Sequence, residues 1–248
     1  MFRLLTYNIR YGGVGRVEPI ARVIAGCNPD LVLLQEATRP SVVEAIAARA
    51  GMREWGAFAR RSLAYISREP VKEATWHRPR FSRHAFSEIV PARQEPRLFG
   101  VHLSAVHAAW AERRRTFELQ SLLKAIEHHQ HGFHVLAGDF NTLAPGEDLD
   151  LRRLPARLRP FVWLSGGRIR WRTIQIVLNH GYVDAFRLMH REDSGATMPT
   201  TSPHVRLDYV FVPQGFRNRL KRCDVVRGPD ADVASDHYPV VADFDDGR

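Results

Sequence analysis

Asn8, Glu36, His102, Asp139, Asn141, Asp208, Asp236 and His237 are polar side chains that stand where apolar runs stop or turn. The set is rich in oxygen donors and contains no cysteine, which is the ligand chemistry of a hard cation such as Mg²⁺ or Mn²⁺. Mg²⁺ takes one or two carboxylates and keeps its waters for a substrate phosphate, so groups remain for acid–base work. Hydrolysis of a phosphoester needs an oriented water, charge stabilisation on the phosphoryl oxygens and help for the leaving oxygen. An aspartate ionised at neutral pH can orient the water. A histidine held by an aspartate can stabilise phosphoryl charge or move a proton.

The clearest stretch is Phe133-His-Val-Leu-Ala-Gly-Asp-Phe-Asn-Thr142. Phe133 to Ala137 is an apolar run of strand length that breaks at Gly138 and then presents Asp139, Phe140 and Asn141. A buried strand ending in glycine with polar groups at its tip is how α/β proteins build a site. In extended backbone Asp139 and Asn141 leave the same face, and Phe140 points into the core.

Other elements end in the same way. Arg3 to Ile9 reads as a strand carrying Asn8 near its end and opening into Gly12-Gly13. Val17 to Ala25 has helical spacing, and Leu31 to Leu34 is a continuous apolar strand closing on Gln35-Glu36. Strand–helix–strand order with a wholly apolar second strand predicts a sheet covered on both faces. Ser41 to Ala50 is expected to be a helix with Ser41 as its cap and Glu44 completing a capping box. Leu63 to Ser67, Glu73 to His77, Phe86 to Val90 and Arg97 to Leu103 read as antiparallel strands, the last of them containing His102. Glu112 to Glu127 is a helix with Leu119, Leu122, Leu123 and Ile126 on one side. His128, His129, His131 and His134 follow, and histidines at a helix C-terminus, where the dipole tolerates them, are a better account of this run than a metal cluster. Trp171 to His180 is expected to be a helix. Arg206 to Val212, Leu220 to Val226 and Val240 to Phe244 are expected to be strands. One domain, Met1 to about Phe244 within residues 1–248, is the expectation.

The segment from Asn141 to about Gly167 is long and irregular, and it leads into further arginines and a tryptophan. It carries Arg152, Arg153, Arg157 and Arg159, then Phe161, Trp163, Arg168, Arg170 and Trp171. Arginines interleaved with aromatics fit contact with single-stranded or distorted nucleic acid, and Trp163, Arg168 and Arg170 are the candidate substrate contacts. A lid packed by its aromatics with arginines in solvent is the other reading. The net charge of +9 favours a polyanionic partner. All the basic side chains but Lys72, Lys124 and Lys221 are arginine, which suits bidentate phosphate contact, although genome base composition produces the same bias. No apolar stretch reaches the length of a membrane span, and the N-terminus is too soon polar for a signal peptide. Cys27 and Cys223 lack metal-type spacing. A soluble cytoplasmic monomer with no membrane partner is expected.

Tyr7-Asn8, Leu34-Gln35-Glu36, Gly100-Val101-His102-Leu103, Gly138-Asp139-Phe140-Asn141, Arg206-Leu207-Asp208-Tyr209 and Ser235-Asp236-His237-Tyr238-Pro239 together resemble the successive motifs of the endonuclease/exonuclease/phosphatase superfamily. That group includes pancreatic-type deoxyribonuclease, abasic-site nucleases, sphingomyelinases and inositol polyphosphate phosphatases. The resemblance implies a deoxyribonuclease I-like α/β fold, a four-layer α/β/β/α sandwich of two mixed β-sheets flanked by helices. It implies Glu36 as main metal ligand, Asn8 beside it and Asp236 helping to hold a metal or its water. Asp139 would position and deprotonate the attacking water, Asn141 would hold a phosphoryl oxygen, Asp208 would orient His237 toward the phosphate, and His102 would lie near the leaving group.

The abasic-site branch usually has tyrosine where His102 stands and an aromatic where Val205 stands, which argues against abasic-site specificity. The expected activity is a Mg²⁺- or Mn²⁺-dependent phosphodiesterase on nucleic acid, DNA first, leaving a 5′-phosphate. The rivals are a phosphoesterase for small or lipid phosphoesters and a catalytically silent nucleic-acid-binding protein.

Overall fold

Two strands buried along almost their whole length open the chain, Phe2–Asn8 (β1) and Leu31–Gln35 (β2). They pair in parallel, with Leu4 opposite Leu31 and Asn8 opposite Gln35. Strands apolar on both faces must be covered on both, and the alternation of side chains shows by what. Leu5, Tyr7, Val32 and Leu34 pack with Ile20, Ile24, Val43 and Ile46, which lie on the helices Val17–Cys27 (α1) and Pro40–Arg49 (α2). Phe2, Leu4, Leu31 and Leu33 face the other way, against Val135, Ala137, Val210 and Val212 of a second sheet.

The computed structural model describes residues 1–78, 85–92, 96–105, 109–147, 150, 152–153, 160 and 171–245. Within these the chain continues through strands Glu54–Ala57 (β3), Ala64–Ser67 (β4), Val71–His77 (β5), Phe86–Pro91 (β6) and Arg97–His102 (β7) to the helix Ala109–Ala125 (α3). Strand His134–Asp139 (β8) follows, then helix Thr173–Asn179 (α4), strand Tyr182–Asp184 (β9) and helix Ala185–Met189 (α5). Strands Asp208–Pro213 (β10) and Leu220–Val225 (β11), helix Pro229–Ala234 (α6) and strand Val240–Phe244 (β12) complete it.

Among the described residues there are two 6-stranded sheets, ordered β11-β12-β1-β2-β4-β3 and β5-β6-β7-β8-β10-β9. Both are mixed, because β1–β2 and β7–β8 are parallel while β1–β12 and β8–β10 are antiparallel. On the outer face of the second sheet, Phe99, Leu136, Tyr209 and Phe211 pack against Leu119, Leu122 and Leu123 of α3 and Ile126 just after it. The layers are therefore helix, sheet, sheet, helix, as expected. No helix among the described residues is long and apolar enough to cross a membrane.

Some local expectations are corrected. α2 starts one residue early, with Arg39 at the cap and no side-chain cap bond. Pro40 takes the first helical position, which its fixed φ suits, and this places Ser41 inside the first turn. α3 starts at Ala109 and ends at Ala125, where a short 3₁₀ turn, Glu127–His129, takes over. Helix α4 starts at Thr173 rather than Trp171. Cys27 and Cys223 are free thiols. The histidine run binds its own surroundings: His134 contacts the Tyr182 hydroxyl at 2.6 Å and the Gly132 carbonyl at 2.8 Å, and His129 lies against the Phe99 ring and Glu88.

Candidate active site

Both parallel pairs end at the same place. Asn8 closes β1 and Glu36 follows β2, while His102 closes β7 and Asp139 closes β8. His102 and Asp139 are register partners, and Asp208, the first residue of β10, is the register partner of Asp139 on its other side. The second sheet thus sets three polar side chains in a row across adjacent strands. Gly138 makes the row possible. At φ +150 its hydrogen lies against β7, where an added Cβ would stand 1.9 Å from the Val101 carbonyl oxygen.

Asn8 joins the two sheets. Its Nδ2 donates to Asp139 Oδ2 at 2.9 Å and to Glu36 Oε1 at 3.3 Å, while its Oδ1 accepts from the Arg10 amide at 2.9 Å. Glu36 leaves β2 in a left-handed conformation, φ +56, and its Oε2 accepts from the Tyr11 amide at 2.6 Å. Asp236 reaches the group through the neighbouring serine. Ser235 Oγ donates to the Asn8 carbonyl at 2.7 Å, and Asp236 Oδ2 lies 3.3 Å from Arg10 Nε.

Asn141 meets Asp139 by a different route from simple alternation. The strand stops at Asp139, and Asn141 adopts φ +52. Its amide N–H donates to Asp139 Oδ1 at 2.9 Å, and its Nδ2 donates to Asp139 Oδ2 at 3.1 Å and to the Leu103 carbonyl at 3.0 Å. In this structure the Asn141 side chain therefore fixes the carboxylate beside it. Phe140 between them is fully buried, as expected.

Asp208 of the third strand meets His237, which lies between α6 and β12 of the first sheet. His237 Nδ1 lies 2.8 Å from Asp208 Oδ2, and His102 Nε2 lies 3.9 Å from Asp139 Oδ2. Asp139, Asp208 and His237 offer ligand atoms within 4.8 Å of one another, the group among the described residues whose spacing fits a metal ion. Asp208 Oδ1 is buried without a hydrogen-bond partner. Burial pushes the Asp139 carboxyl up to about 7, with the Asp208 charge adding to the rise, while His237 and the Asn8 and Asn141 hydrogen bonds oppose it. Burial alone would favour neutral His237, but the charge and hydrogen bond of Asp208, then Asp139 and Asp236, outweigh it and raise the imidazolium to about 10.

All eight strand-end residues are thus brought into one connected group. Trp163, Arg168 and Arg170 lie outside the described residues. Sequence reasoning overlooked Arg10, two positions past Asn8, and the buried pair Glu112 and Arg115 of α3. Glu112 accepts from Thr142 Oγ1 at 2.9 Å and from the Thr173 amide at 2.8 Å, and Arg115 donates to the Ser104 carbonyl at 2.8 Å. The signal available for that pair was their i, i+3 spacing on a helix.

The donor set suits a hard divalent cation: carboxylates at Glu36, Asp139, Asp208 and Asp236, amides at Asn8 and Asn141, and no thiol. Crowded carboxylates, one of them carrying an orphaned buried oxygen, are an environment that a cation relieves.

The fold has close parallels. An AP endonuclease from Archaeoglobus fulgidus superposes with a TM-score of 0.75 at 17% identity, covering 99% of this chain and 100% of that one. A 3′-5′ exonuclease, NExo, from Neisseria meningitidis gives 0.69 at 20% identity, covering 98% and 100%. A D. rerio TDP2 complexed with single strand DNA product gives 0.68 at 18% identity, covering 98% of each chain. At these identities the likeness is one of fold. Among curated proteins none matches the sequence. The sequence pattern of the Endonuclease/Exonuclease/phosphatase family matches residues 5–237, the whole span from Asn8 to His237 over which the site residues are distributed, and the chain belongs to that family.

Proposed function

We propose that the chain is a phosphodiesterase acting on nucleic acid, DNA first, with Mg²⁺ or Mn²⁺ as cofactor, in a single catalytic domain. The observation that supports this best is the pairing across one sheet of a buried carboxylate, Asp139, with a charged histidine–aspartate couple, His237–Asp208. A base near neutrality and a fixed cation a few ångströms apart are what attack of water on a phosphodiester requires.

Asp139 takes a proton from the attacking water, held for that task by Asn8 and Asn141. His237, with Nδ1–H donated to Asp208, presents its Nε2–H to a phosphoryl oxygen and stabilises the charge that grows there. Water oxygen bonds to phosphorus, the bond from phosphorus to O3′ breaks, O3′ takes a proton from solvent and Asp139 returns its own to solvent, and the products are a 5′-phosphate and a 3′-hydroxyl. His102 stands on the leaving-group side of this arrangement. Glu36, with Asn8 and Asp236 beside it, would hold the divalent cation, which when bound supplies Lewis-acid stabilisation of the phosphoryl and leaving oxygens.

Incubation of purified protein with plasmid and linear DNA, with Mg²⁺ or Mn²⁺ and with chelator, tests the reading. Metal-dependent cleavage yielding 5′-phosphate ends is expected, and no cleavage of any nucleic acid overturns it. Turnover of small or lipid phosphoesters with no nucleic-acid cleavage would instead assign the site to that substrate class.

A further inference from the structure

Beside the turn that carries Glu36 lies a half-enclosed pocket of about 360 Å³, lined by Thr38, Arg60, Arg61, Leu63, Trp76 and Arg78 among others. It is assembled from both sheets. The β3–β4 connection, from the first sheet, is clamped to the Glu36 turn: the Ala37 amide donates to the Ser62 carbonyl at 2.9 Å, and the Arg60 amide donates to the Thr38 carbonyl at 3.2 Å. Strand β5 of the second sheet supplies Trp76, whose Nε1 donates to the Leu63 carbonyl at 2.9 Å. Arg60 is held in a left-handed conformation, φ +63, at the tip of this connection, a conformation uncommon for a residue with a side chain and frequent at ligand sites.

The charge here is of one sign. Elsewhere many arginines are matched to carboxylates, as in Arg3–Asp243, Arg22–Asp230 and Arg206–Asp184. Arg60, Arg61 and Arg78 are exposed and have no carboxylate partner among the described residues. Arg61 lies over the ring of Phe58 at 5.2 Å. Phe58 is 49% exposed and meets Trp76 edge-on with ring centroids 4.7 Å apart. Three uncompensated guanidinium groups around an apolar floor, next to an exposed aromatic ring, match the recognition of a nucleic-acid strand, with phosphates on arginine and a base on the ring.

We infer that this pocket is a second subsite, binding the phosphate and unpaired base of the nucleotide that flanks the scissile linkage at the Asp139–His237 site. The inference rests on the nuclease reading and adds to it a strand longer than the reacting linkage. It assigns to Arg60, Arg61, Arg78 and Phe58 a role in substrate affinity, distinct from the chemistry of Asp139 and His237.

Anisotropy of a fluorescein-labelled single-stranded oligonucleotide, in chelator and over a range of salt, tests it in the full chain. For the triple variant R60A/R61A/R78A, affinity should fall at least about ten-fold. The slope of log K against log salt should shallow by about 0.7, the change expected when one phosphate of a single strand no longer meets its arginines. The double variant R22A/R49A removes cations that are already paired, and it should leave the slope near wild type. Wild-type affinity and slope in the triple variant overturn the inference, and so does an equal loss in R22A/R49A, which would mark diffuse attraction. A shift in thermal midpoint of the triple variant by more than a few degrees transfers the test to R61Q and F58A, each expected to weaken binding about three-fold or more; wild-type affinity in both overturns the inference. Metal-dependent cleavage of plasmid and linear DNA by the wild type separates the two readings. Failure there refutes the nuclease, whereas failure of the binding test with that cleavage intact refutes the subsite alone.

Discussion

Asp208 holds His237 by a 2.8 Å contact between Oδ2 and Nδ1, and both side chains are almost wholly out of solvent. The couple keeps the imidazole charged and oriented in a place where burial alone would neutralise it. Replacing Asp208 by Asn keeps the shape and removes the charge. In the chelated protein the His237 titration, followed by NMR of the imidazole, should drop from about 10 toward or below the usual histidine range. Cleavage at pH 8 should fall by about 10²-fold or more, because the charge that faces the phosphoryl oxygen is lost. The linked stability has a definite sign. A histidine whose pKa is raised by folding contributes fully below its unfolded value of about 6.5, and the contribution is lost as pH climbs toward the folded value. The wild type should therefore lose stability relative to Asp208→Asn between pH 7 and 10 in chelator. Parallel stability curves across that range would refute the charge state assigned to His237.

Asp139 is the carboxylate that Asn8 and Asn141 hold from both sides. Asp139→Ala should reduce cleavage by at least about 10²-fold, the scale of a lost general base. Asn141→Ala should cost less in rate and should shift the acid limb of the pH–rate profile slightly upward, because the Nδ2 hydrogen bond that favours the ionised carboxylate disappears while the one from the backbone amide stays. Wild-type turnover in Asp139→Ala removes the assignment.

Gly138 tolerates no side chain. With an added Cβ placed 1.9 Å from the Val101 carbonyl oxygen, Gly138→Ala must separate β7 from β8 at the point where His102 and Asp139 are paired. Destabilisation of more than about 3 kcal/mol in urea denaturation is expected, from overpacking together with backbone strain at positive φ. A well-folded, fully active variant would mean that the strand end is looser than these contacts require.

Strands that are apolar on both faces announce themselves, which is why β1, β2, β8 and β10 were legible with the polar residues at their ends. In β2, β8 and β10 the apolar run is continuous, and what bounds it is the site. Elements whose burial is partial were harder to see. β3, Glu-Trp-Gly-Ala, is half-buried at every position, so it shows neither alternation nor an apolar run. α6 has only Ala231 and Ala234 buried, and its signals are Pro229 at the start with Asp230 and Asp232 in the first turn. The left-handed turn at Asn141 and the meeting of Arg60 and Arg61 with Arg78 depend on contacts between distant segments. Local spacing contains no record of those contacts. The same reasoning explains the capping error at α2, where Ser41 and Glu44 satisfy a local pattern and Pro40 competes for the helix start.

Glu112 is the polar hub behind the site, and its loss should be felt as stability. Its carboxylate accepts from Arg115 Nε at 3.0 Å, Thr142 Oγ1 at 2.9 Å, the Arg172 amide at 2.7 Å, and the Thr173 amide and hydroxyl at 2.8 and 2.7 Å. It thereby ties α3 to the start of α4 and to the residue after Asn141. Burial alone would raise this carboxyl, yet the Arg115 charge and the donated hydrogen bonds hold it below the usual glutamate range. Glu112→Ala takes from the fully buried Arg115 the carboxylate it touches, at a cost of about 3–5 kcal/mol, and adding Arg115→Met should restore part of that loss because the buried cation is then removed as well. A depressed carboxyl stabilises the fold above its unfolded pKa of about 4.3, and the stabilisation disappears as pH falls through the lower folded value. The wild type should therefore lose its advantage over the double variant as the pH is lowered below 4, measured by thermal midpoint in chelator. If Glu112→Ala alone matches the wild type at pH 7, the hub carries no net stabilisation, and the approach of α3 to the Asn141 turn must be held by the apolar contacts of Leu119 and Leu122 instead.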